Sequence, residues 1–240
     1  MAKNNFSTMN KLIQKLKKEC LKSNKEILLK KLAIQTFGNA SQRINSELFT
    51  IKPSGINLKK IKSNDLVIID IKTGKKINSK LKPSSDTETH RVLYKNFPNI
   101  KGIAHAHPTF LTSWAQTGKS IPNLGTTHSD YWKSDIPITD DLKQNEISKN
   151  YELNTGKSII RILTKKKLNS KSCPGVLSRY HGAFAWGQSS VEAVKNLEAM
   201  ELIAKLAFYT TIIGYKKKIS RNLINKHFFR KHGLKKYYGQ

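Results

Sequence analysis

Two histidines separated by one residue, in the segment Gly-Ile-Ala-His-Ala-His (102–107), constrain the fold of this chain more than any other feature. The apolar residues around them predict a buried strand, and alternate side chains of a strand leave the same face. His105 and His107 therefore point toward one place. Burying two imidazoles together is unfavourable unless a partner satisfies both. Because imidazole is the commonest metal-ligand side chain, the spacing predicts a metal site on this strand.

A third histidine and a carboxylate complete the predicted ligand set. His181 ends a second apolar run, and Asp86 stands at the start of a predicted helix. Taken alone, His181 could be a structural histidine at a sheet edge, and Asp86 could serve only the helix dipole. Three nitrogen ligands with an open or carboxylate-filled fourth position are typical of catalytic zinc sites. The residues predicted to surround one Zn2+ ion, or another divalent transition metal such as Mn2+ or Co2+, are Asp86, His105, His107 and His181.

Three short loops have the composition of anion-binding turns. They are Gly38-Asn39, Ser54-Gly55 and Ser84-Ser85. Free backbone N–H groups and hydroxyls at turns and helix N-termini bind phosphate groups. Each loop alone is an ordinary turn, but three of them, one beside Asp86, predict a phosphorylated substrate whose phosphate is held away from the metal.

Two further groups are predicted to transfer protons. Asp130 lies in a loop rich in hydrogen-bond donors, and Tyr238 lies in the C-terminal Tyr-Tyr-Gly-Gln. Alternatively, Asp130 is a solvated turn carboxylate and Tyr238 only packs against its neighbours. A tyrosine near a cation can act as a weak acid or base, and a mobile tail can close over a site.

Strand-like and helix-like segments are interspersed along the chain without regular alternation. Strands are predicted at residues 48–52, 66–71, 102–107, 159–163, 176–181 and 183–186. Helices are predicted at residues 8–31, from a capping box at 85–88 through Tyr94, from Ser189 onward, and at 223–231. In the helix that follows Ser189, the residues predicted to face the core are Val191, Val194, Leu197, Leu202 and Leu206.

This order predicts the α/β class with a mixed or antiparallel sheet covered by helices. Neither βαβ alternation nor a nucleotide-binding glycine fingerprint is present, which argues against a Rossmann fold. Because no linker or internal repeat divides the sequence, we expect residues 1–240 to form a single domain.

The formal net charge of +28 raises the question of a nucleic-acid partner. Only six of the 44 basic residues are arginines, and the lysines are scattered through every segment. Specific readers of bases and phosphates favour clustered arginine forks instead. We therefore predict no specific nucleic-acid function, and only weak, nonspecific binding at low salt.

Other bulk features point to a reducing, cytoplasmic setting. No apolar stretch approaches the roughly 20 residues that are needed to cross a bilayer, so no membrane partner is expected. Cys20 and Cys173 are far apart in sequence and provide neither a disulfide framework nor a cysteine-rich zinc motif.

From about Phe37 to Gln240, the chain resembles the class II aldolase/epimerase family. The matching motifs are Thr-Phe-Gly-Asn-Ala-Ser (36–41), Ile-Lys-Pro-Ser-Gly (51–55), Lys-Pro-Ser-Ser-Asp-Thr-Glu-Thr-His-Arg (82–91), His-Ala-His (105–107), Leu-Gly-Thr-Thr-His-Ser-Asp-Tyr (124–131), His-Gly-Ala-Phe-Ala-Trp-Gly (181–187) and Lys-His-Phe-Phe-Arg-Lys-His-Gly-Leu-Lys-Lys-Tyr-Tyr-Gly-Gln (226–240). Within these, Thr-Thr-His-Ser-Asp-Tyr (126–131) and the C-terminal Tyr-Tyr-Gly-Gln (237–240) are similar to the epimerase branch of the family.

This resemblance implies a three-layer α/β/α fold with a central, largely antiparallel sheet, a zinc-like ion, and a homotetramer with sites at subunit interfaces. It also implies that Asp130 and Tyr238 form an acid/base pair, with Tyr238 coming from an adjacent subunit and His227 supporting the pair. The substrate-binding residues that it implies are Gly38, Asn39, Ser54, Gly55, Ser84, Ser85 and His227.

For the epimerase branch, the implied reaction is inversion at C4 of a phosphorylated ketopentose. C4 is not adjacent to the C2 carbonyl, so inversion needs cleavage and re-formation of the C3–C4 bond. Two proton-transfer groups on opposite faces are then required, which is the role expected of Asp130 and Tyr238. The alternatives are a sugar-phosphate aldolase with net cleavage, a non-catalytic scaffold of the same fold, and a basic nucleic-acid binder.

Overall fold

A seven-stranded antiparallel sheet forms the centre of the protein. The structure, a computed structural model, describes residues 2–77, 79–215, 217–234 and 236–237. The strands are β1 (Asn39–Arg43), β2 (Leu48–Ile51), β3 (Val67–Asp70), β4 (Lys76–Ile77), β5 (Gly102–Ala106), β6 (Gly175–Ser178) and β7 (Gly182–Gly187). Their order across the sheet is β4-β3-β2-β1-β5-β7-β6, and every neighbouring pair is antiparallel.

Helices cover both faces of this sheet. They are α1 (Ala2–Leu29), α2 (Thr87–Asn96), α3 (Thr109–Thr117), α4 (Thr126–Ser129), α5 (Gln144–Ser148), α6 (Tyr151–Lys165), α7 (Ser190–Ile213) and α8 (Arg221–His232). The pleat of β1 separates the two outer layers: Ser41 bonds α2 through His90, whereas Gln42 on the other face accepts a hydrogen bond from Ser190 of α7. The predicted three-layer α/β/α architecture is confirmed.

The register of the central strands places the predicted site at one end of the sheet. Asn39 at the start of β1 pairs with His105 near the end of β5, and His105 pairs with Phe184 of β7. The β6–β7 hairpin turns at the same end, so its turn residue His181 faces the end of β5. Antiparallel pairing therefore gathers residues that are far apart in sequence.

The predicted strand at residues 159–163 is wrong, since this segment lies within α6. Its Ile159, Ile162 and Leu163 are buried, and α6 packs closely on α2 through Gly156. A short, continuous apolar run fits a buried helix face as well as a buried strand, so periodicity alone could not separate the two.

Two predicted helix starts have different outcomes. Ser189 is the N-cap of α7, where its hydroxyl accepts a hydrogen bond from the Glu192 N–H at 3.1 Å. The capping box predicted at residues 85–88 does not form. Asp86 occupies the N-cap position of α2, but its carboxylate bonds Asn39 at 2.7 Å instead of the helix backbone.

Only Val194 and Leu197 of the predicted buried face of α7 are correct, since Val191 is half-buried and the later positions are exposed. Val194 and Leu197 are buried, but Leu202 and Leu206 are 49% and 44% exposed. The core positions in the second half are taken by Ile203, Ala204 and Ala207. The larger residues thus lie on the outer side of the helix, where they leave an apolar surface.

Among the described residues, no helix is both long and apolar enough to span a bilayer.

We predict that Gly102→Ala destabilises the protein by about 3 kcal/mol or more. A Cβ atom on Gly102 would overlap the backbone of Ser189 and Ser190, which cannot move without displacing the start of α7. The control is Gly125→Ala, because no neighbouring atom lies within 4 Å of the added Cβ; there we expect less than about 1 kcal/mol. Urea unfolding measures both, and equal stabilities of the two variants would contradict this packing.

Candidate metal centre

His105 and His107 place their imidazoles side by side at the end of β5. The two Nε2 atoms are 3.0 Å apart. His105 is 2% exposed, and its ring stacks on Phe184 with 4.0 Å between ring centroids. Its Nδ1 lies 2.9 Å from the carbonyl oxygen of Ala183. Because a carbonyl only accepts, Nδ1 carries the hydrogen, and the Nε2 lone pair is left facing His107.

His181 joins this pair from the β6–β7 turn. Its ring centroid lies 4.8 Å from that of His105 and 4.7 Å from that of His107. One nitrogen from each ring can be chosen so that all three lie within 4.8 Å of one another. Gly182 makes this approach possible, since a side chain there would overlap the His107 ring. The structure thus brings together the three predicted histidines.

The protonation state of the three histidines suits the binding of a cation. Burial and neighbouring imidazoles lower the pKa of His105 and of His181 to about 3, and burial also lowers the pKa of His107. All three rings are therefore neutral at pH 7 and have lone pairs available for a metal. Nδ1 of His181 is buried without a hydrogen-bond partner. Three neutral nitrogens that converge in this way fit a divalent transition metal.

Asp86 borders the three histidines. Its Oδ2 lies 3.9 Å from Nε2 of His105 and accepts a hydrogen bond from the Asn39 side chain at 2.7 Å. The carboxylate is therefore oriented by a neighbour and stands near the metal position. Its direct ligation stays a prediction.

A cavity of about 330 Å³ opens onto this cluster. It is lined by the predicted anion-binding turns together with the predicted metal residues: Gly38, Asn39, Ser54, Gly55, Ser84, Ser85, Asp86, His105, His107 and His181. Three loops that are distant in sequence thus meet at one pocket, beside the three imidazoles. Such an arrangement can hold an anionic group and a metal together.

Lys52 is a further residue of this cavity. It is 3% exposed, and its Nζ donates to the carbonyl oxygen of Thr36 at 2.8 Å. Burial lowers its pKa, and the Asp86 carboxylate opposes this effect. The sequence contains many lysines, so only its position just before Pro53-Ser54-Gly55 distinguishes Lys52 from the solvated majority.

Tyr151, at the start of α6, is a neighbour of the cluster that the sequence did not identify. Its ring centroid lies 6.1 Å from that of His181. Burial raises the pKa of this tyrosine, and the charges of Asp86 and Glu152 contribute. No motif surrounds it, and the contact depends on how α6 packs in the folded chain.

Asp130 lies in a different place, between α4 and α8, and is absent from the lining of the histidine cavity. Its carboxylate accepts hydrogen bonds from His227 at 3.1 Å and from Arg230 at 2.9 Å. Burial tends to raise the pKa of Asp130, but the bonds from Arg230 and His227 outweigh it, and the net shift is downward. His227 therefore contacts Asp130, while its supporting role in catalysis stays a prediction, and Arg230 is a partner that the sequence did not indicate. Tyr238 lies outside the described residues.

The fold and the site together define a class of protein: an antiparallel sheet between helical layers, with three histidines at one end of the sheet beside the three predicted anion-binding turns. Residues 18–208 match the family described as Class II Aldolase and Adducin N-terminal domain. Since this match covers well over half of the chain, the protein belongs to that family.

Solved structures are similar to this chain along nearly its whole length. An L-fuculose 1-phosphate aldolase has a TM-score of 0.74 at 24% identity, covering 89% of this chain and 94% of the other. YgbL from Escherichia coli has a TM-score of 0.71 at 21% identity, covering 89% and 98%. The L-fuculose-1-phosphate aldolase from Thermus thermophilus has a TM-score of 0.65 at 20% identity, covering 84% and 97%. At these identities the similarity shows the fold.

We predict that the chelator-treated protein loses stability as the pH falls from 6.5 to 5. Burial lowers the pKa of His90 and His105 to about 3 and that of His128 to about 4. Histidines of the unfolded chain have a pKa of about 6.5 and take up protons first, which favours unfolding. Each such histidine lowers the free energy of unfolding by at most about 1.4 kcal/mol per pH unit in this window.

Urea unfolding at several pH values measures this dependence. The variant His128→Gln removes one titrating group, and its amide can still donate to the carbonyl oxygen of Ser134, the partner of the imidazole. Its stability should therefore decline less steeply with falling pH. A free energy of unfolding that is constant between pH 6.5 and 5 would contradict burial of neutral histidines.

Proposed function

We propose that this protein catalyses metal-dependent epimerisation at C4 of L-ribulose 5-phosphate, which yields D-xylulose 5-phosphate. The observation that carries the proposal is the convergence of His105, His107 and His181 in a cavity that three anion-binding turns also line. The resemblance of residues 126–131 and 237–240 to the epimerase branch supports this reaction over others on the same fold. The free, buried thiols of Cys20 and Cys173 are compatible with a cytoplasmic enzyme.

His105, His107 and His181 would hold a divalent ion, with Asp86 as a fourth ligand or a nearby carboxylate. When bound, Zn2+ or a similar ion supplies a Lewis acid that stabilises negative charge developing on substrate oxygens. The turns at residues 38–39, 54–55 and 84–85 would hold the substrate and its phosphate. The buried Lys52 ammonium would add positive charge to the same cavity.

The proton-transfer steps follow from the position of C4. One of the pair Asp130 and Tyr238 removes the proton of the C4 hydroxyl as the C3–C4 bond breaks, which leaves an enediolate and glycolaldehyde phosphate. The aldehyde rotates, the C3–C4 bond re-forms on its other face, and the second group returns the proton to the new C4 hydroxyl. An aldolase needs only one such group, whereas an epimerase needs one for each configuration.

A homotetramer with composite sites would bring Asp130 to the substrate. Asp130 does not line the histidine cavity of its own chain, so it would serve the cavity of a neighbouring subunit. The outer side of α7 supports assembly, because its apolar residues are exposed. They are Leu202, Leu206, Phe208, Tyr209, Ile212 and Ile213. Apolar surface that is concentrated on one helix is typical of protein–protein contacts.

We predict that His107→Ala abolishes metal retention and turnover together, because two imidazoles hold a divalent ion much less tightly than three. Metal analysis of the purified protein and an assay with L-ribulose 5-phosphate measure both quantities. The control is His232→Gln, which replaces an exposed histidine outside the cavity and should leave the metal content unchanged. Full metal content in the His107→Ala variant would contradict the assigned site.

For Asp130→Asn we expect unchanged metal content and a loss of epimerisation of about 100-fold or more, because a proton-transfer group is removed. The control is Asp140→Asn, which changes an exposed carboxylate that pairs with Lys165. Chiral analysis of the pentulose phosphates measures turnover. Wild-type turnover in the Asp130→Asn variant would refute its assigned role.

Mixing the two inactive variants tests whether the site is shared between subunits. If Asp130 of one chain acts on the cavity of another, random co-assembly of His107→Ala and Asp130→Asn chains restores roughly a quarter of the wild-type activity. The reason is that one interface in four joins the intact histidine cavity of an Asp130→Asn chain to the intact Asp130 of a His107→Ala chain. If both residues act within one chain, every site retains a defect and the mixture stays inactive. Unfolding and refolding the variants together, followed by the same assay, measures this outcome.

The second candidate function is a sugar-phosphate aldolase with net cleavage. The favouring observation is that three of the structural neighbours are named L-fuculose 1-phosphate aldolases. The epimerase assay also tests this function, because accumulation of free aldehyde indicates cleavage and formation of D-xylulose 5-phosphate indicates epimerisation.

A further inference from the structure

Glu201, in the middle of α7, caps the N-terminus of a different helix. Its Oε1 accepts a hydrogen bond from the Phe110 N–H at 3.0 Å, and its Oε2 accepts one from the Leu111 N–H at 2.9 Å. These are the second and third residues of α3, whose N-cap residue, Pro108, provides no side-chain acceptor. The first N–H groups of a helix need acceptors from outside the helix, and a carboxylate there also complements the helix dipole.

α3 connects two of the three clustered histidines. At its N-terminus, only Pro108 separates the helix from His107. Near its C-terminus, the carbonyl oxygen of Ala115 accepts a hydrogen bond from the N–H of Tyr180 at 3.1 Å, and Tyr180 directly precedes His181. A movement of α3 would therefore displace the His107 and His181 imidazoles relative to each other.

The backbone of Tyr180 shows that this connection holds the β6–β7 turn in an unusual conformation. Its φ angle is +58°, in the left-handed region that bulky residues rarely adopt. Such a conformation persists only when its surroundings fix it. The bond to Ala115 is one of these restraints, so the position of α3 bears directly on the residue beside His181.

Other contacts also join α3 to α7. The indole N–H of Trp114 donates to the carbonyl oxygen of Ala204 at 3.0 Å, and the Phe110 ring packs against Phe208 and Tyr209. Burial raises the pKa of Glu201, which means that placing a carboxylate here is unfavourable for the ionised group. An apolar side chain would avoid this penalty but could not accept the two N–H groups.

We infer that Glu201 is a positioning residue that sets the arrangement of His107 and His181 through α3. It touches neither imidazole and acts by fixing the helix between them. The inference rests on the proposed function, since it assumes that the three histidines bind a metal. Substituting a residue that orients a metal ligand without binding the metal itself commonly lowers metal affinity by about 10- to 100-fold.

The test compares Glu201→Ala and Glu201→Gln with Ser189→Ala. Ser189→Ala is the matched control because it also removes a helix-capping acceptor, at the start of α7 near Gly102 and away from the histidine cavity. Zinc affinity is measured by competition with a chromophoric chelator, and the visible spectrum of the Co2+-substituted protein reports the ligand geometry. Thermal unfolding of the chelator-treated proteins measures the structural effect.

We expect all three variants to unfold at lower temperature than the wild type. Glu201→Ala should bind zinc at least about tenfold more weakly and show a changed Co2+ spectrum, whereas Ser189→Ala should keep wild-type affinity and spectrum. Glu201→Gln should lie between them, because its amide oxygen can accept one of the two N–H groups.

Wild-type zinc affinity and Co2+ spectrum in Glu201→Gln and Glu201→Ala would overturn the inference, whatever their stability. If Glu201→Ala does not fold, Glu201→Gln, which is nearly isosteric, decides on its own. A wild-type protein that binds no zinc would overturn the proposed function and with it this inference. If the wild-type protein binds zinc and both Glu201 variants keep its zinc affinity and Co2+ spectrum, only the role of Glu201 is overturned.

Discussion

Three neutral imidazoles converge at one end of the sheet, where their lone pairs can coordinate a shared cation. His105 and His107 approach to 3.0 Å between Nε2 atoms, and His181 completes the group within 4.8 Å. Burial lowers the pKa values of all three histidines, so their rings are neutral near pH 7 and their lone pairs are available to a metal. A bound divalent cation would satisfy these lone pairs.

Each surrounding element restrains one part of the cluster. The register of β1 and β7 against β5 fixes His105, whose Nδ1–H donates to Ala183 and whose ring stacks on Phe184. The hydrogen bond from Asn39 orients Asp86 beside it.

The second half of α7 buries its smaller residues against the core and leaves the larger ones outside. One helix can therefore pack on the sheet and still present an apolar surface on its outer side.

Much of the site could be predicted from the sequence because local periodicity determines it. Alternation in a strand was sufficient to bring His105 and His107 together, and turn composition identified the loops that line the cavity. Other features depend on tertiary contacts that no local pattern contains. Glu201 caps a helix about 90 residues away, and Asp130 pairs with Arg230 about 100 residues away. The strand predicted at 159–163 was wrong for a related reason, since burial on α2 determined its conformation.

X-ray absorption spectroscopy of the zinc-loaded protein identifies the atoms that bind the ion. We expect three imidazole nitrogens at about 2.0–2.1 Å from zinc, with oxygen completing the coordination. Zinc bound through sulfur at about 2.3 Å, or through fewer than three imidazoles, would contradict it.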